Sequence, residues 1–106
     1  TLSHSTHASV MTYYTLFGEL TAHPTRRAAL LAILRQAQAA LAETPDCHAY
    51  TLSVSDEHPD SLFVFETWTD ADSHQNSLSD PRVMDLIVQG KPLIKEMHRH
   101  YTLRTV

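Results

Sequence analysis

Leu62-Phe63-Val64-Phe65-Glu66-Thr67-Trp68-Thr69-Asp70-Ala71-Asp72-Ser73-His74 is the stretch that decides how this chain folds. Residues 62–69 are aromatic and β-branched, the composition of a strand covered on both faces. A helix then opens: Thr69-Asp70-Ala71-Asp72 fits a capping box, with Thr69 as N-cap and Asp72 three residues on. Carboxylates in that first turn suit the positive end of the helix dipole. Trp68, the single tryptophan, thus sits where a strand hands over to a helix, and His74 lies about one and a half turns further on. An aromatic wall and an imidazole at one corner predict a pocket.

Working outward, residues 47–55 form a strand in which Tyr50, Leu52 and Val54 alternate with Thr51, Ser53 and Ser55. A turn over residues 56–60, containing Pro59, brings the organising strand back antiparallel. Residues 12–20 make the first strand, with Tyr14, Leu16, Gly18 and Leu20 on one face and Tyr13, Thr15, Phe17 and Glu19 on the other. Pro24 and Thr25 open a helix running to about residue 42, whose buried stripe is Leu30, Ile33, Leu34, Ala37 and Leu41. Pro45 stops it. Downstream, the helix begun at Thr69 pauses near Ser79. Asp80-Pro81 restarts it as an N-cap followed by proline, and Gly90 closes it at C′. The last strand spans about residues 95–105, with Met97, Arg99, Tyr101 and Leu103 alternating against His98, His100 and Thr102. The order β-α-β-β-α-β predicts an α+β, ferredoxin-like antiparallel sheet with helices on one face.

The 106 residues, 42% hydrophobic, supply one core, and two glycines with five prolines argue against disorder. Residues 1–10 are polar and without period, so 1–11 reads as a flexible tail before a single domain over 12–106. A formal charge of −4 gives no support for nucleic acid or an anionic membrane surface as partner. The lone cysteine, Cys47, excludes an intrachain disulfide and a cysteine-based zinc cluster. No apolar run approaches the ~18 residues needed to span a bilayer. The expectation is a cytoplasmic domain with no membrane partner.

Helices cover only one sheet face, yet both faces carry large side chains: Leu62, Val64 and Trp68 on one, Phe63 and Phe65 on the other. Tyr13 and Phe17 enlarge the second set. Such a patch exceeds what single domains normally leave in water, so a homodimer packed sheet to sheet is expected.

With that pattern established, the chain resembles the antibiotic biosynthesis monooxygenase (ABM) family of dimeric α+β barrels. The resemblance spans about residues 12–103. It is carried by Phe65-Glu66-Thr67-Trp68, by Asp72-Ser73-His74-Gln75-Asn76-Ser77-Leu78 and by Gly90-Lys91-Pro92-Leu93-Ile94. It implies a dimeric barrel and, among several member activities, cofactor-free oxygenation of quinols or polyphenols. Haem-degrading members use a first-strand asparagine and a histidine further along the second helix. Here the first strand has no asparagine and Ser77-Leu78 stand near that histidine's place, so haem breakdown ranks behind. The polyketide oxygenases' asparagine is replaced by Val64.

Cofactor-free oxygenation needs an electron-rich substrate whose anion reduces oxygen, while the protein holds the ring, takes a proton and excludes water. His74 and Trp68 are the candidate catalytic residues, with Tyr50, Arg99, Tyr101 and Leu78 the candidate substrate contacts. A histidine suits proton removal from a phenol near neutral pH, and Arg99 suits a phenolate. No metal, flavin or haem motif is present, so no cofactor is expected; two glycines cannot build a dinucleotide loop. His98 and His100 offer a pair of imidazoles without a third ligand nearby in sequence. The alternative is a non-catalytic small-ligand-binding or stress-response domain using the same pocket for a small aromatic ligand.

Overall fold

The structure, a computed structural model, describes residues 12–106, so the expected tail over 1–11 lies outside the described residues. The chain runs β1 (Tyr14–Ala22), α1 (Arg27–Leu41), β2 (Cys47–Ser55), β3 (His58–Trp68), α2 (Ala71–Ser77) and α3 (Pro81–Gly90). A 3-10 turn (Lys91–Leu93) then leads into β4 (Ile94–Arg104). The strands form one antiparallel sheet in the order β2-β3-β1-β4. This is the ferredoxin-like β-α-β-β-α-β architecture that the hydrophobic pattern predicts, with its second helix broken into α2 and α3. Among the described residues no helix is long and apolar enough to cross a membrane.

Alternation along β3 places Leu62, Val64 and Trp68 under the helices, where all three are buried. The register sets Leu16, Gly18 and Leu20 of β1 beside Glu66, Val64 and Leu62 on that inner face. α1 presses Leu30, Ala37 and Leu41 against it. The core divides into a group around Ala22, Leu30 and Leu62 and another around Leu41, Trp68 and Val83.

Local corrections to the sequence reading have physical causes. The N-cap of α2 is Asp70, not Thr69: the Asp70 carboxylate accepts from the Ser73 N–H at 2.7 Å. Thr69 instead pairs its hydroxyl with His48 Nε2 at 2.9 Å, tying the corner to β2. The β2–β3 turn is shorter than expected, with Ser55 paired to His58, so Pro59 and Asp60 belong to β3. Gly90 is the last residue of α3 with an ordinary helical φ; a Cβ there would stand 3.5 Å from Leu30 Cδ1, which places the position where α3 meets α1.

Two further differences matter more. β4 bulges: Phe17 pairs with Tyr101, but Gly18 pairs with Arg99, leaving His100 unpaired between them. Met97 and Arg99 therefore share the inner face with Leu20 and Gly18, whereas Tyr101 and Leu103 pass to the outer face beside Phe17 and Thr15. The extra residue splits the uninterrupted alternation that the sequence suggested.

The second difference lies before α1. Pro24 and Thr25 do not open the helix; they form a turn closed by the Arg26 N–H donating to His23 O at 2.9 Å. Thr25 sits at φ 70°, a left-handed conformation that suits glycine or asparagine and strains a β-branched residue. Thr25→Asn should relieve part of a cost of about 1–2 kcal/mol. The thermal midpoint should rise by a few degrees. A midpoint unchanged or lowered in a melting experiment would show that no strain is held there.

Candidate functional site

A cavity does lie beside the strand-to-helix corner and takes in His74, but Trp68 does not line it. Between the inner sheet face and the helices lie two adjoining cavities, of about 220 Å³ and about 500 Å³. They share Leu20, Tyr50, Glu66, His74, Leu78, Ile87 and Met97. The larger falls in the range of small-molecule sites. The smaller reaches up to the apolar stripe of α1, and the larger has Gly18 and Val64 on its floor. Leu78, Ile87 and Met97 are exposed and give the opening an apolar rim.

His74 is placed by α2, whose Asp70 cap sets its start, and by Ser77, whose hydroxyl donates to the His74 carbonyl at 2.6 Å. Its ring stands edge-on to Trp68, with centroids 5.5 Å apart, and 6.0 Å from the Tyr14 ring. Burial, reinforced by the charge of Arg99, holds His74 below its ordinary pKa, so the imidazole is neutral at pH 7.

Trp68 is fully enclosed and stands behind the cavity rather than forming its wall. Its Nε1 donates to Glu66 Oε1 at 3.0 Å. Glu66 faces the cavity from the inner side of β3, and its Oε1 lies 3.9 Å from His74 Nε2. Desolvation pushes its carboxyl above the ordinary value, against the opposing pull of the Trp68 N–H and the Arg99 charge. Tyr50, paired with Glu66 across β2 and β3, has its hydroxyl pKa driven up by burial and by the Glu66 charge, so it remains a neutral phenol.

Of the residues singled out in the sequence, His74, Tyr50, Leu78 and Arg99 meet at this space. Tyr101 does not: the bulge turns it to the outer face, where its ring stacks with Phe17 at 6.4 Å. His98 and His100 lie 4.5 Å apart by ring centroids, and His100 Nε2 sits 2.8 Å from Glu19 Oε1. The residue that sequence reasoning passed over is Glu66. Its signal was available, because the alternation that buries Leu62, Val64 and Trp68 points position 66 the same way.

The antibiotic biosynthesis monooxygenase profile matches residues 13–87. The chain belongs to the ABM family. A provisionally named antibiotic biosynthesis monooxygenase from Chloroflexus aurantiacus is 35% identical, with a TM-score of 0.74 over 89% of this chain and 91% of that one. A Pseudomonas aeruginosa protein superimposes with a TM-score of 0.81 at 20% identity, covering 90% of this chain and 95% of its own. A Shewanella oneidensis protein does so at 0.79 and 16% identity, covering 92% and 96%. The last two likenesses concern the fold alone. Among curated proteins no sequence matches. Within this ABM chain, the polar groups that meet in the cavity are supplied chiefly by β3, α2 and β4.

The raised carboxyl of Glu66 carries a stability consequence. Its folded pKa exceeds the ordinary 4.5, so its contribution favours the fold below that pH and is lost as pH rises through the folded value. Glu66→Gln keeps an acceptor for Trp68 and removes the buried charge. The variant should unfold at a higher urea concentration than wild type at pH 7, and the advantage should shrink towards pH 4. An equal or lower midpoint at pH 7 contradicts the desolvation argument.

Proposed function

We propose that this ABM-family protein is a cofactor-independent monooxygenase that oxidises a quinol-like or polyphenolic small molecule with O2. The observation that carries the proposal is a largely apolar cavity with a neutral, buried imidazole at its polar corner. An aromatic ring enters past Leu78, Ile87 and Met97 and lies over the floor at Gly18 and Val64. His74 takes a proton from the ring hydroxyl, and Arg99 steadies the resulting anion. The electron-rich anion then reduces oxygen. One oxygen atom enters the ring as a carbonyl and the other leaves as water, the substrate supplying the electrons. Trp68 acts from behind, holding Glu66 in place through its indole N–H.

The test is aerobic turnover of a panel of quinols by the purified protein and by His74→Ala. The variant should lose roughly 10²–10⁴-fold in kcat, the usual worth of a positioned base. The rate should rise with pH through one ionisation lying below the ordinary histidine value of 6.5, because burial and Arg99 depress it. The other ionisable groups around the His74 ring are Glu66 on β3, Tyr50 on β2, Arg99 on β4 and Tyr14 on β1. Activity unchanged in His74→Ala refutes the assignment. No turnover of any quinol favours a non-catalytic binding domain.

We also propose that a second copy of the chain covers the outer sheet face. Phe17, Phe63, Phe65 and Tyr101 form one aromatic group there, with Phe65 41%, Tyr101 61% and Leu103 44% exposed. Light scattering should give about twice the 11.9 kDa chain mass. Phe65→Asp should shift the protein to monomer at micromolar concentration, because a buried unpaired charge is costly. A wild-type monomer at that concentration removes the proposal.

A further inference from the structure

Glu66 and His74 leave a gap between them that neither can close. Glu66 Oε1 and His74 Nε2 are 3.9 Å apart, beyond direct hydrogen-bond range. Both side chains are largely enclosed, and both line both cavities. Their positions are held independently: Glu66 by the Trp68 N–H from its own strand, His74 by the Asp70-capped helix. One oxygen atom about 2.8 Å from each would subtend an angle of about 90° between them, within reach of two ordinary hydrogen bonds.

The chemistry of the pair restricts what that oxygen can belong to. An ionised carboxylate only accepts, while a neutral imidazole nitrogen donates or accepts according to its tautomer. A hydroxyl donates to Glu66 and accepts from His74 in its Nε2–H tautomer, so it satisfies both at once. The proton transfer proposed for His74 then requires the other tautomer, with the hydroxyl turned towards Nε2. A carbonyl oxygen offers Glu66 no proton. A ligand carboxylate would meet Glu66 as a like charge, and a ligand cation would meet Arg99, which lines the larger cavity. Beyond this corner the smaller cavity is lined mainly by aliphatic side chains, with Ser77 and Lys91 its other polar residues, so the body of a ligand that reaches into it is apolar.

We infer that Glu66 and His74 together form a receptor for one free hydroxyl of a neutral, otherwise apolar ligand. The inference rests on the cavity being the aromatic-ligand site proposed above. It goes further by making the hydroxyl an obligatory recognition element read by two residues, one of which, Glu66, has no role in the proton transfer assigned to His74. The enclosed lining gives the preference its force, since a ligand lacking the hydroxyl leaves two buried polar groups unsatisfied.

Trp68 supplies the readout. It is the only tryptophan, bonded to Glu66 and edge-on to His74, so its fluorescence reports occupancy of this corner. The probes are 4-propylphenol and its methyl ether, 4-propylanisole, titrated into the full chain at neutral pH. The phenol should bind at least about tenfold more tightly, in line with a hydrogen bond to a charged acceptor. In Glu66→Gln the preference should fall to within about threefold while the ether binds as in wild type, which also establishes that the variant is folded. Equal binding of both compounds to wild type overturns the receptor but leaves an aromatic-ligand cavity standing. A preference fully retained in Glu66→Gln also overturns it. Failure of both compounds to bind removes the cavity assignment and this inference with it.

Discussion

Trp68 has no surface in contact with solvent, so its indole N–H must find an acceptor inside the protein, and it finds Glu66 Oε1 at 3.0 Å. The two residues alternate on one strand and point to the same side, which makes the bond almost a consequence of the pleat. Removing the acceptor would strand a buried donor at the centre of one half of the core. The indole therefore needs a polar group at position 66, and an oxygen acceptor comes to face the cavity for a structural reason. Leu41, Val83 and the partly buried Tyr14, Cys47 and Tyr50 then pack around it, fixing where α1 and α3 can lie.

The electrostatics of the corner follow from that enclosure. Burial opposes charge on Glu66 and on His74 alike, raising the carboxyl and lowering the imidazole. Arg99 acts on them with opposite effects on stability, favouring the carboxylate and opposing the imidazolium. Burial thus favours the uncharged form of each group, and Arg99 partly offsets this for Glu66 while reinforcing it for His74. Helix α2 contributes through geometry more than charge, since its short length and Asp70 cap deliver His74 to the indole edge. Elsewhere, exposed pairs such as Arg82 with Glu43 and Asp80 tie surface loops and add little to stability.

Much of this was legible in the residues. The apolar alternation over 62–68 and the 3-4 spacing from Leu30 to Leu41 were strong enough to give the element order, the sheet and the covered face. His74 beside Trp68 followed from the handover between strand and helix. What escaped depended on competition between equivalent local signals. Thr69 and Asp70 are both good N-caps, and the choice was made by His48, which engages the Thr69 hydroxyl from another strand. The bulge at His100 carries no glycine or proline mark; its position is set by pairing with β1, where Glu19 receives the His100 ring. Tyr101 was misplaced for that reason alone. Glu66 was overlooked because an acidic residue within an aromatic strand suggests a motif before it suggests an in-facing carboxylate.

The bulge at His100 also makes β4 a strand with two clients. Its first half, through Met97 and Arg99, serves the cavity; its second half, through Tyr101 and Leu103, serves the outer face. A single unpaired residue separates them. Substitutions on one side of that residue can reshape what the cavity accepts without disturbing the aromatic outer surface, and the reverse holds equally. Loss of His100 itself would restore plain alternation with Arg99 still facing inward and Tyr101 outward, because it removes the one residue with no partner on β1. The two halves can drift independently by substitution, and their opposite facing does not depend on keeping the bulged residue.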